Sequence, residues 1–416
     1  MHPDRVALQS AGDRLTYAEL EVRARSAAAA LAARGVSPGN RVALALANGP
    51  EFVAALHGCF FAGAVAVPID PRLQAVERAA RAAGAAVVIE DRLDTAPAGS
   101  RPVPLRLDAI AVVMHTSGTT KAPRPVALTF GNWLASALGS AVALGLDQDE
   151  RWLCAMPLAH VGGLSILIRS AIYGTTPVLH ERFDTDAVVD ALSDADARIT
   201  LVSLVPTMLA RLLDAGLRRP PALRRALLGG GPIAPELLDR AAAAGVPVAP
   251  TYGMTEACSQ IATNGWPLPG VELRTADDGE LLVRGPTVAP GALDDDGWLW
   301  TGDLGTLDKH GRLTIMGRKA DTIVTGGENV APAEVEAVLL EHSSVADAGV
   351  FGRADPEWGE AVVAAVVPRN GARLDPGELR AHCAARLAPF KVPKAFELAD
   401  RLPRTESGKL LRRELS

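Results

Sequence analysis

Hydrophobic and polar positions along the chain alternate between helical and strand-like runs from the start. Leu20 to Arg34 is Ala-rich with helical spacing and stops at Gly35. Arg41 to Leu46 is a short apolar run of strand type. Glu51 to Ala62 returns to helical spacing and ends at Gly63, and Val65 to Pro68 is a strand again. An Arg/Ala helix and the strand Ala85 to Ile89 come next, then a Pro- and Ala-rich linker from Leu93 to Pro104. Strands are expected at Ile110 to His115, Arg151 to Met156, Thr200 to Val205, Arg225 to Leu228 and Val246 to Val248. Helices are expected at Asn132 to Leu144, after Pro206, and at Pro235 to Ala244. This β-α-β-α order predicts parallel sheets covered by helices.

From Gly270 the pattern shortens. Glu280 to Arg284, Gly297 to Thr301 and Arg312 to Met316 read as a small antiparallel region. After Arg318 comes a helix at Pro332 to Glu341, strands at Val345 to Phe351 and Ala361 to Val367, and a helix at Pro376 to Leu387.

Composition narrows the class. The 416 residues are 48% hydrophobic and 22% charged, which fits a globular protein large enough for more than one domain. Net charge is −6 with no basic block, which argues against a nucleic-acid partner. No apolar stretch reaches membrane-span length, and Met1 to Arg5 lacks the apolar core of a signal peptide. Cys59, Cys154, Cys258 and Cys383 are scattered without C-x-x-C spacing, which points to a reducing cytoplasm rather than to disulfides or zinc. Whether the chain forms a homo-oligomer is open. Only six of the 42 basic residues are Lys: 121, 309, 319, 391, 394 and 409. In a chain that uses Arg as its generic cation, a retained Lys points to a need for a compact, flexible ammonium.

The candidate chemistry starts where the strand Ile110 to His115 runs into Thr116, Ser117, Gly118, Thr119, Thr120, Lys121, Ala122, Pro123 and Arg124. Hydroxyls, free backbone N–H groups and two cations can wrap phosphate oxygens, although the same loop reads equally as a solvated turn. It is not a Walker A loop. Further along lie Tyr252-Gly253-Met254-Thr255-Glu256, Trp300-Thr301-Gly302-Asp303, Gly317-Arg318-Lys319, Gly326-Gly327-Glu328-Asn329 and Ser407-Gly408-Lys409. In this order, over nearly the whole chain, the motifs resemble the adenylate-forming superfamily of acyl-CoA synthetases, luciferases and peptide-synthetase adenylation domains.

The resemblance implies a fold and a chemistry. The fold would be α/β: a large domain at 1–318, with parallel-rich sheets, helices and a small antiparallel region, then a small mobile α+β domain at 319–416. The reaction would use ATP, Mg²⁺ and coenzyme A to activate a small-molecule carboxylic acid. Thr116 to Lys121 and Arg124 would hold phosphates, although Lys121 replaces a family glycine and reads equally as an exposed charge. Gly229, Gly230, Gly231, Pro232 and Tyr252 would form the adenine slot, with Gly253 also contacting ATP, or else Gly229 to Pro232 is simply a tight strand-to-helix loop. Thr255 would bond the α-phosphate. Glu256 would hold Mg²⁺, or else serve as a helix-start carboxylate. Asp303 would accept the ribose hydroxyls, or else be a turn residue, and Arg318 would contact the ribose. Lys409 would bridge the carboxylate and the α-phosphate, or else be a plain tail residue. Gly326, Gly327 and Glu328 would meet coenzyme A. The family's hinge side chain is replaced by Ala320.

The acid is approached through Met156 to Gly163 and Leu164 to Gly174. His160 matches a family histidine beside the acyl pocket. Ser165 and Gln260 fall in the expected pocket segments. Arg169 stands in an apolar run, and a buried Arg needs an anion. That anion is either the second carboxylate of a dicarboxylic acid or an internal partner such as Glu181 or Asp186. Leu164 to Gly174, Leu227 to Pro232 and Tyr252 to Ile261 resemble the o-succinylbenzoate–CoA ligase branch, of menaquinone synthesis. The alternatives are a synthetase for another aryl or medium-chain acid and a nucleotide-binding protein without catalysis.

Overall fold

The computed structural model describes residues 3–93, 102–116, 124–369, 372–404 and 410–415. Four sheets organise them. The largest runs, edge to edge, Trp266–Pro267, Ser259–Thr263, Val248–Met254, Arg225–Leu228, Leu201–Leu204, Arg151–Cys154, Thr176–Leu179, Val6–Ser10 and Asp13–Thr16. Its central pairings are parallel and its edges antiparallel. A second sheet orders Val87–Ile89, Arg41–Leu44, Val65–Pro68, Ile110–Thr116 and Arg124–Thr129, parallel except for the last pair. Between these sheets lies the main apolar core, with Phe52, Trp133, Trp152 and Leu164 among its buried members. The four strands Glu272–Thr275, Glu280–Arg284, Leu299–Leu307 and Leu313–Arg318 form an antiparallel sheet. Strands from Ile323 onward pair only with one another, around a core of their own that includes Val350 and Val362.

Local chemistry sets where the helices begin. The first long helix is Tyr17–Ala33, three residues earlier than the apolar pattern suggested, because Thr16 and Glu19 form a capping box. Phe130–Leu144 likewise starts before Asn132: Thr129 and Asn132 cap each other's backbone N–H groups. The segment around Arg169 is the helix Val161–Tyr173, with His160 at its N-cap and Gly174 closing it at φ +70°. The expected strand Val246 to Val248 is displaced. It runs Val248–Met254, because Ser259–Thr263 returns beside it and supplies ladder partners.

The joint between the last two sheets is the short 3-10 turn Lys319–Asp321. Lys319 Nζ lies 2.6 Å from Asp278 and 2.7 Å from Glu280. On its other side Asp321 pairs with Arg412 of the final segment. Ala320 therefore falls between one residue tied to the antiparallel sheet and one tied to the C-terminal segment.

Candidate active site

Parallel strands leave their carboxyl-end loops on one side, where open α/β sheets usually bind ligands. A cavity of about 1170 Å³ opens there, at the roomy end for a small-molecule site. The second sheet contributes His115, Thr116 and Arg124. The large sheet contributes Met156 to Gly162, Gly229, Gly230 and Gly253 to Glu256. The antiparallel sheet adds Trp300, Thr301 and Arg318, and the C-terminal segment adds Arg404.

Thr116 and Arg124 face each other across an antiparallel pair, so the phosphate-loop candidate joins two paired strands. Ser117, Gly118, Thr119, Thr120 and Lys121 lie outside the described residues, as does Lys409. His115 stands beside Thr116 in the wall. Burial, reinforced by Arg81 and Arg41, holds its pKa below the usual value and favours the neutral ring.

A second cluster forms behind the wall. Asp303 is a strand residue opposite Arg318 rather than a turn residue. Its carboxylate accepts from Tyr252 Oη at 2.7 Å and lies 2.8 Å from Arg318 Nε. Burial, aided by this carboxylate, raises the Tyr252 pKa, so the phenol keeps its proton and donates. Gly302 turns at φ +69° just before Asp303 and donates its N–H to buried Glu280. Gly231 and Pro232 follow Gly229 and Gly230 but stand outside the cavity lining.

Thr255 and Glu256 occupy a 3-10 turn, Thr255–Ala257, which Cys258 caps at φ +52°. Ser259 follows at φ +89°. Two consecutive non-glycine residues with positive φ store roughly 1–3 kcal/mol of strain each, and such strain clusters at functional sites. Gly253 is obligatory beside this turn: a Cβ there would lie 1.7 Å from Ser259 O. Among the described residues no group of three or more His, Cys, Asp or Glu could hold a metal unaided. Three carboxylates line the cavity, Asp70, Glu181 and Glu256. Asp70 is paired with Arg72 at 2.7 Å, whereas Glu256, on the turn beside Thr255, fits Mg²⁺, which takes its remaining oxygens from phosphates and water.

On the acid side, His160 and Ser165 line the cavity, and so does Gln260. The Gln260 amide donates to Thr263 at 2.8 Å, while its buried Oε1 has no partner. Arg169 does not reach the lining. It lies one helical turn beyond Ser165 on the same face, in a layer behind the wall, and is 1% exposed. Its Nη2 donates to Ser136 Oγ at 2.8 Å and its guanidinium lies over Trp152 at 5.9 Å. Nε and Nη1 are buried with no hydrogen-bond partner, and no described carboxylate pairs with it. The internal bridge to Glu181 or Asp186 is therefore not formed. Burial lowers the Arg169 pKa, the sign of an uncompensated cation.

Gly326 and Gly327, at φ +58° and +83°, make the two-residue turn of a hairpin that ends in exposed Glu328, away from the cavity lining. Sequence reasoning missed Asn48, whose amide donates to Met156 O at 2.9 Å and accepts from Leu158 N at 3.1 Å. It thereby ties the His160 loop to the second sheet. It also missed Arg182, Arg211 and Arg404 in the wall. Asn48-Gly49-Pro50 carried a turn signal, and Arg404 falls in the Pro403 to Lys409 stretch that resembles the family's lysine motif, though without a role of its own; Arg182 and Arg211 carried no signal.

Two mixed sheets with a cleft at their carboxyl ends, a Tyr–Asp–Arg cluster and a threonine–glutamate turn agree with the layout expected of an adenylate-forming enzyme. The chain belongs to the AMP-binding enzyme family: that family's model matches residues 1–101 and 90–293, and the model of its C-terminal domain matches 334–409. Among curated relatives it is 40% identical to the 2-succinylbenzoate–CoA ligase of Bacillus licheniformis, over 99% of this chain and 97% of that one. The fold superposes with TM-score 0.92 on o-succinylbenzoate CoA synthetase from Bacillus subtilis in complex with its acyl-adenylate intermediate, at 38% identity. That match covers 100% of this chain and 96% of the other. The same synthetase with ATP and magnesium ion matches at TM-score 0.91 and 39% identity, over 100% and 97% of the two chains.

Proposed function

We propose that this protein is an AMP-forming ligase that converts 2-succinylbenzoate to its coenzyme A thioester, a step of menaquinone synthesis. In the first half-reaction a carboxylate oxygen of the acid attacks the α-phosphorus of ATP, and pyrophosphate leaves. In the second the sulfur of coenzyme A attacks the acyl carbonyl, the acyl–phosphate bond breaks, and AMP leaves.

The roles of Asp303, Tyr252, Arg318, Gly229, Gly230, Thr255, Glu256, Thr116, Arg124 and His160 are supported by the placements described above; those of Lys409 and of Gly326 to Glu328 rest on the family resemblance alone. Asp303 accepts the ribose hydroxyls, with Tyr252 and Arg318 fixing its orientation. Gly229 and Gly230 give the flat base a close approach to backbone. Thr255 donates to the α-phosphate. Glu256 would hold Mg²⁺, which when bound would supply neutralising charge for the phosphates. Thr116 and Arg124 stand at the two ends of the phosphate loop. His160 borders the reacting carboxylate. Lys409, carried by the unit from 319 to 416, bridges carboxylate and α-phosphate, and Gly326 to Glu328 meet coenzyme A. The four cysteines are unpaired and buried, which suits a reducing cytoplasm. Among the described residues no helix is long and apolar enough to cross a membrane.

The observation that carries the choice of acid is Arg169, a buried cation with two orphaned nitrogens one layer behind Ser165. A dicarboxylic acid long enough to pass Ser165 supplies the missing anion; a simple benzoate does not. Removing one partner of such a pair costs roughly 3–5 kcal/mol. Arg169→Ala should therefore lower kcat/KM for 2-succinylbenzoate by ~10²–10³ or more, and by far less for a benzoate without the succinyl carboxylate. Arg169→Lys should restore only part, since an ammonium lacks the bidentate fork. Equal losses on the two acids would make Arg169 a packing residue and remove the reason for choosing this acid.

A further inference from the structure

The strained turn that carries Thr255 and Glu256 is held from behind. Cys258 and Ser259 take φ values of +52° and +89°, which side chains other than glycine rarely adopt. The Cys258 carbonyl accepts from Ser136 Oγ at 2.7 Å, and that hydroxyl in turn accepts from Arg169 Nη2 at 2.8 Å. A serine hydroxyl has one proton and spare lone pairs, so the direction of the chain is fixed: guanidinium to hydroxyl to carbonyl. All three residues are buried to within 1%. A charged first donor polarises the hydroxyl and strengthens its bond to the carbonyl. Ser136 sits one turn after Asn132 on the Phe130–Leu144 helix. The Asn132 amide likewise donates to Pro286 O and Val288 O, both at 2.9 Å. Val288 adjoins Ala289, whose N–H donates to Glu256 O at 2.8 Å. One helix face thus grips the metal-side turn from two directions.

We propose that Ser136 is a positioning residue. Relayed from Arg169, its hydroxyl holds Cys258 in the left-handed conformation and so aims Thr255 and Glu256 at the phosphates and metal. Arg169 then has two duties: Nη2 serves the turn, while Nε and Nη1 are left for the acid. This rests on the assignment of Thr255 and Glu256 to phosphate and metal, but not on the identity of the acid.

The test compares the parent with Ser136→Ala, Cys258→Gly and the double variant, none of which alters a residue that touches substrate. The first measurement is calorimetric affinity for ATP with Mg²⁺, with no acid present. The second is the Mg²⁺ concentration that half-saturates acid-dependent ATP–pyrophosphate exchange. Ser136→Ala should weaken both by about tenfold, the equivalent of one buried hydrogen bond. It should leave the parent's preference between the two acids intact, because Arg169 remains. Glycine takes the left-handed conformation without help, so Cys258→Gly should make the protein insensitive to Ser136→Ala, to within about twofold. Unchanged affinity and Mg²⁺ requirement in Ser136→Ala would overturn the proposal. So would a double variant as impaired as Ser136→Ala alone, a comparison that stands even if the single variant folds poorly. A parent that binds no ATP at all would instead sink the activity reading.

Discussion

At the scale of single residues, the site separates groups that bind from groups that hold the binders in place. Glu256 presents its carboxylate to the cavity, while Glu280 spends its own on Gly302 N–H and Lys319 behind it. Only the first should answer to metal. Glu256→Gln keeps the shape and removes the charge, so the Mg²⁺ titration of ATP–pyrophosphate exchange should shift to higher concentration and the first half-reaction should slow. Titrations that overlay those of the parent would assign Glu256 to the start of its turn alone. The sequence exposed Glu256, Asp303 and Tyr252 through their motifs. It did not reveal that Asp303 is shared by Tyr252 and Arg318, because those contacts span 51 residues in one case and a strand pairing in the other.

At the scale of elements, capping chemistry decides more than apolar periodicity. The Phe130–Leu144 helix carries Asn132, Ser136 and Ser140 as a buried polar stripe at every fourth position, on a face that periodicity alone would assign to apolar residues. Its capping box, Thr129 with Asn132, fixes where that stripe begins. Thr129→Ala should cost about 1 kcal/mol of stability, read as a lower urea midpoint. It should also weaken ATP binding slightly, because Asn132 loses its partner in the box. A midpoint equal to that of the parent would show that tertiary packing, not the cap, sets the helix start. The antiparallel return strands Arg124–Thr129 and Ser259–Thr263 were not legible, since neither run is long or strongly alternating. Each is defined by the partner it pairs with.

At the scale of the whole molecule, the joint at Lys319–Asp321 lies between two ion-pair anchors, and the segment that leads to Lys409 reaches the cavity through Arg404. If Lys409 serves only the first half-reaction, Lys409→Ala should abolish acid-dependent ATP–pyrophosphate exchange. Thioester formation from supplied acyl-adenylate should stay within a few-fold of the parent. Equal loss in both half-reactions would rule out a division of labour between two placements of the C-terminal unit.

The sequence by itself determined the α/β alternation, the switch to antiparallel strands after Gly270, and the order of the candidate phosphate, metal and ribose motifs. These are local properties: periodicity, glycine and proline punctuation, and short motifs need only neighbours in the chain. Tertiary structure alone decided that Arg169 has no carboxylate partner among the described residues and stands a layer behind the cavity wall. It alone joined Arg169 through Ser136 to Cys258, across 33 and 122 residues of chain. A buried charge is defined by what surrounds it in space, and nothing in a linear pattern records which distant helix face and which strained turn the fold will press against it.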